Sequence, residues 1–257
     1  METSRGSSLP LQTPWPGAFV SRKRRTISTM DDALLLARAG CPTGTVAAAD
    51  SQEKGRGRIA GRNWISAPGE SLLATVVLRI PELGYALEEL PLRAGLAVAL
   101  GIEDAAGIPV EIKWPNDVVA PPALPSAGRK LAGLRCEAHG DAALVGFGVN
   151  CFQRSFPDEI ARTACSLFQL SGRMLAVSSL LSAILVRLKD AAAAAGWRDE
   201  LRARLHRRGQ IVRVDPIGAG RTLQGIVRDI DDRGRLVLEL SDGRRETVTQ
   251  GELPTAP

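Results

Sequence analysis

The periodicity of this 257-residue chain changes near Gly209, so any fold must accommodate two kinds of segment. From position 211 onward, short runs of alternating apolar and polar residues follow one another. Ile211, Val212 and Val214 open the first, and 223–230, 235–240 and 246–249 continue the series. Asp232-Arg233-Gly234 and Ser241-Asp242-Gly243 separate the last three, and Asp and Gly are the residues that tight β-turns require. A stretch of roughly 45 residues patterned this way has room for little beyond a compact β-barrel.

Upstream, helical and strand patterns alternate. Ser28 and Thr29 precede Asp31 and Asp32, which reads as a helix N-cap with acids in the first turn. Gly40 and Pro42 end that helix. Strands are expected at 45–48 and 71–80, and an Ala- and Leu-rich helix at 87–106, stopped by Gly107. Val110, Ile112 and Trp114 alternate with Glu111 and Lys113 as a strand does, until Pro115 interrupts. Positions 118–119 resume it, 120–128 form a proline-rich loop, and 131–137 and 143–149 are two more strands. Met174, Val177, Leu181, Ile184, Leu185 and Leu188 mark an amphipathic helix. The expected architecture is a mixed α/β (α+β) catalytic domain over 26–208, a small β-barrel over 209–253, and a loose tail over 1–25.

Composition excludes several classes. No apolar run is long enough to cross a bilayer, and the Ser-, Pro- and Thr-rich residues 1–16 lack the apolar core of a secretory signal. The four cysteines form no CxxC pair and there are only two histidines, which argues for reduced thiols in a cytoplasmic protein rather than a zinc site. The net charge is +5, carried mostly by arginine, with no like-charged block beyond Arg22-Lys23-Arg24-Arg25. That favours small phosphorylated ligands over nucleic acid.

Three segments carry potential chemistry. In Gln52-Glu53-Lys54-Gly55-Arg56-Gly57-Arg58, continuing to Gly61-Arg62-Asn63-Trp64, the glycines let backbone N–H groups approach an anion and the arginines supply forked cationic donors. The same segment read alone is equally an RNA-binding loop or a solvated turn. Glu111-Ile112-Lys113-Trp114-Pro115-Asn116-Asp117 presents an amide and a carboxylate at a strand end, where they suit Mg²⁺ or make an ordinary turn. Gly128-Arg129-Lys130-Leu131-Ala132-Gly133 opens a buried strand with a lysine and leaves space three residues on.

Taken in this order, and with Gly146-Phe147-Gly148-Val149-Asn150 and the Ser28-Thr29 pair, these segments resemble the biotin protein ligase family over roughly residues 26–250. The resemblance is to the monofunctional type, without an N-terminal DNA-binding domain. It implies a mixed-sheet ligase domain with an SH3-like C-terminal barrel, and activation of biotin by ATP for transfer to a lysine of a carboxylase's biotin carrier domain. It places Ser28, Thr29, Met30 and Gln52 at the biotin rings. Gly55, Arg56, Gly57, Arg58, Lys130 and Gly133 fall around the biotin carboxylate and the reacting phosphate. Arg58, Arg62, Trp64, Lys113, Asn116 and Asn150 fall at the ATP site. Lys130 and Arg58 are the expected catalytic cations, and Asp117 is the expected Mg²⁺ ligand. No DNA or membrane partner is expected, since only a short Pro-rich tail precedes Ser28; a homodimer through a sheet edge is left open. The rivals are a lipoate or octanoate ligase or transferase of the same fold, and an RNA-binding module. The latter would need stacking aromatics, which make up only 4% of the chain.

Overall fold

A computed structural model describes residues 12–58, 63–193, 196–216 and 220–253. A seven-stranded sheet organises the larger domain. Its strands are β1 (Val20–Lys23), β2 (Thr45–Ala49), β3 (Ser71–Arg79), β4 (Glu111–Lys113), β5 (Asp117–Val119), β6 (Lys130–His139) and β7 (Ala142–Asn150). They lie in the order β1-β2-β3-β7-β6-β5-β4, with β1 parallel to β2 and every other pair antiparallel. β7 is buried along its whole length and β3 along all but its last residue. Burial on both faces is why these two strands read as continuous apolar runs rather than as alternation.

One face of the sheet is covered by α2 (Leu90–Ala106) and α5 (Val177–Ala193). These helices pack so closely that a Cβ on Gly101 would sit 2.6 Å from Ile184 Cγ1. α2 ends as expected at Gly107, whose φ of 66° is the left-handed conformation glycine adopts without a steric cost. The opposite face receives α1 (Thr29–Arg38), which buries Met30, Ala33 and Ala37 against Ala47, Val77 and Leu144. Ser28 is its N-cap, accepting from Met30 N at 3.3 Å.

Three short helices follow β7 or the α5 helix and carry too few turns for a periodic signal: α3 (Asp158–Ala161), α4 (Leu167–Ser171) and α6 (Trp197–Ala203). The α5 helix starts at Val177, not Met174, which lies outside it and is 67% exposed. The reading of 1–25 as a loose tail is corrected where the chain is described. Val20–Lys23 is a strand aligned with 46–49, and Trp15 packs where a Cβ on Gly44 would have stood. Two of those four strand residues are basic, so the strand has no apolar alternation to betray it. Residues 1–11 lie outside the described residues.

The C-terminal domain is a second sheet, all antiparallel, in the order β11-β10-β9-β8-β12, from β8 (Ile211–Pro216), β9 (Leu223–Ile230), β10 (Leu236–Glu239), β11 (Arg245–Val248) and β12 (Gly251–Glu252). Its inward residues include Val212, Val214, Leu223, Val227, Leu236 and Leu238, as the period-2 pattern requires, and a register shift between β9 and β10 turns Ile230 inward as well. It is fastened to the larger domain by Trp114 Nε1 donating to Gly234 O at 3.0 Å and by an Arg202–Asp229 ion pair at 2.6 Å. The linker does further work: Leu205 bridges Ile112 in parallel, occupying the outer side of β4.

Candidate active site

Strands β6 and β7 meet at a floor of glycines. Gly133 lies opposite Gly148, and Arg135 opposite Gly146. Each glycine leaves room that another side chain occupies. A Cβ on Gly133 would meet Lys130 Cε at 2.6 Å, one on Gly146 would meet Met30 Sδ at 2.6 Å, and one on Gly148 would meet Trp64 Cε2 at 2.7 Å. Three side chains from three segments therefore converge above the strands, around an open cleft. Ser28, Thr29, Met30, Gln52, Arg56, Gly57, Arg58, Trp64, Asn116, Lys130 and Gly133 all line it.

One end of the cleft is polar without charge. Ser28 and Thr29 are 1% and 3% exposed at the start of α1. Gln52 Oε1 accepts from Thr29 N at 2.8 Å and Thr29 Oγ1 at 3.0 Å, and Thr29 Oγ1 in turn accepts from Thr75 Oγ1 at 2.9 Å. These bonds hold the Gln52 amide in one orientation, with its NH₂ group beside Gly55. A Cβ on Gly55 would stand 2.9 Å from that nitrogen.

The other end is cationic. Lys130 Nζ lies 2.7 Å from Asp117 Oδ1, in ion-pair rather than hydrogen-bond geometry, and 5.8 Å from the centre of the Trp64 ring. Arg56 pairs with Asp31 at 2.6 Å. Arg58 differs from both: its Nε donates to Asn116 Oδ1 at 3.2 Å and its Nη2 to Gly251 O at 2.9 Å, both neutral acceptors. Among the described residues Arg58 has no carboxylate partner, so the cleft keeps an excess positive charge. Trp64 Nε1 is buried without a hydrogen-bond partner among the described residues.

Several expected site residues stand elsewhere. Asn150 ends β7 and does not line the cleft; it donates to Cys165 O at 3.0 Å and to Lys130 O at 3.4 Å, so it braces the backbone that carries Lys130. Lys113 is 8% exposed on β4, its Cα opposite Asp117, and does not line the cleft. Asp117 reaches the cleft through its pairing with Lys130. Arg62 lies outside the described residues. The structure adds Arg135 to the wall, together with Leu73, Leu134 and Phe147. Arg135 was legible in principle, because it follows Gly133 by two on a strand and so shares its face. Its guanidinium donates to Gly57 O and, at 2.5 Å, to Glu137 Oε1, whose other oxygen meets His139 Nε2 at 2.9 Å. Burial works against ionisation of Glu137. The hydrogen bonds from His139 and Arg135 and the charges of Arg135 and Arg56 outweigh it and hold the carboxyl below its usual range.

Residues 23–151 match the family model described as the biotin/lipoate A/B protein ligase family, and residues 209–252 match the biotin protein ligase C-terminal domain. The biotin–[acetyl-CoA-carboxylase] ligase of Mycobacterium tuberculosis is 34% identical over 241 residues, spanning 89% of this chain and 86% of that protein. The bifunctional ligase/repressor BirA of Bacillus spizizenii is 33% identical over 232 residues, spanning 84% of this chain and 68% of its own length. The biotin protein ligase of Aquifex aeolicus in complex with biotin and ATP superposes with a TM-score of 0.78 at 26% identity, covering 91% of this chain and 97% of that one. With the fold, the two-domain match and the convergence of the motifs in one cleft, the chain belongs to the biotin protein ligase family.

Proposed function

We propose that this chain activates biotin with ATP and transfers it to a lysine of a carboxylase's biotin carrier domain. The observation that carries this reading is the single cleft that joins a neutral polar end to a cationic end. A urea group is neutral, and its carbonyl and two N–H groups need fixed donors and acceptors when buried. The Gln52 NH₂ group can donate to the carbonyl and the Ser28 hydroxyl oxygen can accept from a ring N–H, and Met30 with the glycine floor faces the rest of the bicycle. An extended acid tail then brings its carboxylate to Lys130, Arg56 and Arg58. A lipoyl or octanoyl group would leave the polar end without partners, which costs about 1–3 kcal/mol for each buried group so stranded.

In the first step a biotin carboxylate oxygen attacks the α-phosphorus of ATP and the bond to pyrophosphate breaks, giving biotinyl-AMP. Negative charge grows on the phosphoryl oxygens, and cations already in place stabilise it most because nothing need reorganise at that moment. Lys130 and Arg58 serve here. Lys130 exchanges Asp117 for substrate anions, and Arg58 exchanges two neutral acceptors. In the second step the carrier lysine's neutral amine attacks the acyl carbon, AMP leaves, and the amide nitrogen loses a proton. The glycine- and arginine-rich loop shields the anhydride from water between the steps.

The donor set does not suit a metal held by protein groups alone. Asp117 is a single carboxylate already engaged by Lys130, and among the described residues no three His, Cys, Asp or Glu side chains converge. Mg²⁺ would be carried by the nucleotide's own phosphates, as is usual for this ion. Asp117 is then the counter-ion that keeps Lys130 aimed. A homodimer formed through an edge of the larger sheet would use β1, since Leu205 occupies the outer side of β4. No helix of the described residues is long and apolar enough to cross a membrane.

Biotin-dependent exchange of labelled pyrophosphate into ATP tests the reading, with lipoate as control. Exchange driven equally by lipoate, or independent of biotin, overturns it.

A further inference from the structure

Strand β6 presents Arg135, Glu137 and His139 at successive alternate positions, and the reaction described above uses none of them. Their side chains are 29%, 23% and 36% exposed, and each touches the next. Arg135 ends this chain of contacts on the carbonyl of Gly57. Gly57 is the residue between Arg56 and Arg58, so a fixed Gly57 carbonyl fixes the backbone from which both cations reach.

The other side-chain anchors of this loop segment are Arg56 on Asp31, and Arg58 on Asn116 and Gly251. Those are the groups that must release their partners to meet substrate anions. Arg135 is not assigned a substrate anion in that reaction: its Nη1 holds a loop carbonyl and its Nε holds Glu137. A guanidinium bonded to a carbonyl is charge-assisted, and a second bond to a carboxylate removes the rotamer freedom that would loosen the grip. The backbone closure at the loop's base, Trp64 N to Gly55 O at 2.9 Å with Arg56 bridged to Asn63, pairs the start of the loop, and Arg135 adds a side-chain hold on the next carbonyl, that of Gly57.

We infer that Arg135 is a positioning residue for adenylation. It clamps Gly57 so that Arg56 and Arg58 keep their aim while their side chains change partners, and Glu137, held by His139, aligns it. The inference rests on the proposed reaction, and its magnitude follows from geometry: a displacement of about 1 Å at a reacting group can cost on the order of a hundredfold in rate.

Two full-length variants test it, Arg135→Met and Glu137→Gln, each checked by its melting curve to be folded at the assay temperature. In biotin-dependent pyrophosphate exchange, R135M should lose about tenfold to a hundredfold in kcat, with a much smaller change in the KM for ATP. E137Q, which keeps the arginine but removes its aligning charge, should lose less in the same direction. A second readout needs no substrate: trypsin should cut the unliganded R135M protein after Arg56 and Arg58 several times faster than the parent. An R135M protein that matches the parent in both exchange and cleavage overturns the clamp; if R135M does not fold, E137Q matching the parent in both does so. A parent protein that shows no biotin-dependent exchange sinks the proposed reaction instead, and the cleavage comparison still judges the clamp.

Discussion

Replacing Lys130 by alanine separates what the ammonium does for the fold from what it does for the reaction. Its pairing with Asp117 spans 2.7 Å, but the two side chains are 38% and 20% exposed. Solvent screens such a pair, so it contributes on the order of 0–1 kcal/mol to stability. In a domain of this size 1 kcal/mol moves the melting temperature by about 2–4 °C, so K130A should melt within a few degrees of the parent. The transition state is another matter. A preorganised donor facing charge that develops on the bound substrates is worth about 2.7–4 kcal/mol, or 10²–10³ in rate. K130A should therefore keep its fold and lose two to three orders of magnitude in biotin-dependent pyrophosphate exchange at saturating biotin and ATP. Stranded charge on Asp117 is the competing explanation, and the double variant K130A/D117N addresses it. Removing the carboxylate should restore little, because the missing cation is the cause. A K130A enzyme within about threefold of the parent, or a double variant that recovers most of the rate, would refute the reasoning.

Other consequences follow from the same geometry. Thr29→Val keeps the side chain's shape but strips Gln52 Oε1 of a donor and Thr75 Oγ1 of its acceptor; biotin should bind about 1–3 kcal/mol more weakly by titration calorimetry, with kcat little changed. Gly148→Ala would place a Cβ 2.7 Å from Trp64 Cε2, so the indole must lift off the strand; a shift in intrinsic fluorescence and weaker ATP binding should appear together, and an unaltered spectrum would count against the packing described. Because the folded-state carboxyl of Glu137 lies below its ordinary value of 4.5, its contribution to stability is present above that value and lost as pH falls through the lower one. The melting difference between the parent and E137Q should accordingly be largest near neutrality and close in acid. Burial pushes the Cys151 and Cys165 thiols up to about 11 and about 12, so both should resist a disulfide reagent at pH 8 until the protein unfolds.

Much was legible before any coordinates. α1 and its Ser28 cap, the Gly107 stop, the buried strands and the change of pattern at the second domain all arise from local signals: caps, turn residues and a period of two or 3.6 residues. Motif residues with a chemical signature, such as Gly55-Arg56-Gly57-Arg58 and Lys130, could be singled out by type and spacing. Strand β1 could not. It is held by pairing with β2 through backbone hydrogen bonds, which any side chain permits, and two of its four residues are basic. The short helices carry no repeat: α3 buries no side chain, α4 starts at a Ser166/Gln169 capping box, and α6 is held by packing on α2 and β9.

Which residues share the cleft is a question of strand register, and register is tertiary. Positions 133 and 148 are opposite because β6 and β7 pair in one alignment; a slip of one residue would leave the two glycines on opposite faces. The same alignment set Asn150 at the end of β7, where its amide serves backbone carbonyls, and brought Arg135 to a loop that lies 78 positions away along the chain. Local sequence carries propensity and chemical type. Which distant groups become neighbours depends on how the whole sheet pairs and what it buries, and that decided the counter-ion of Lys130, the open charge of Arg58 and the grip on Gly57.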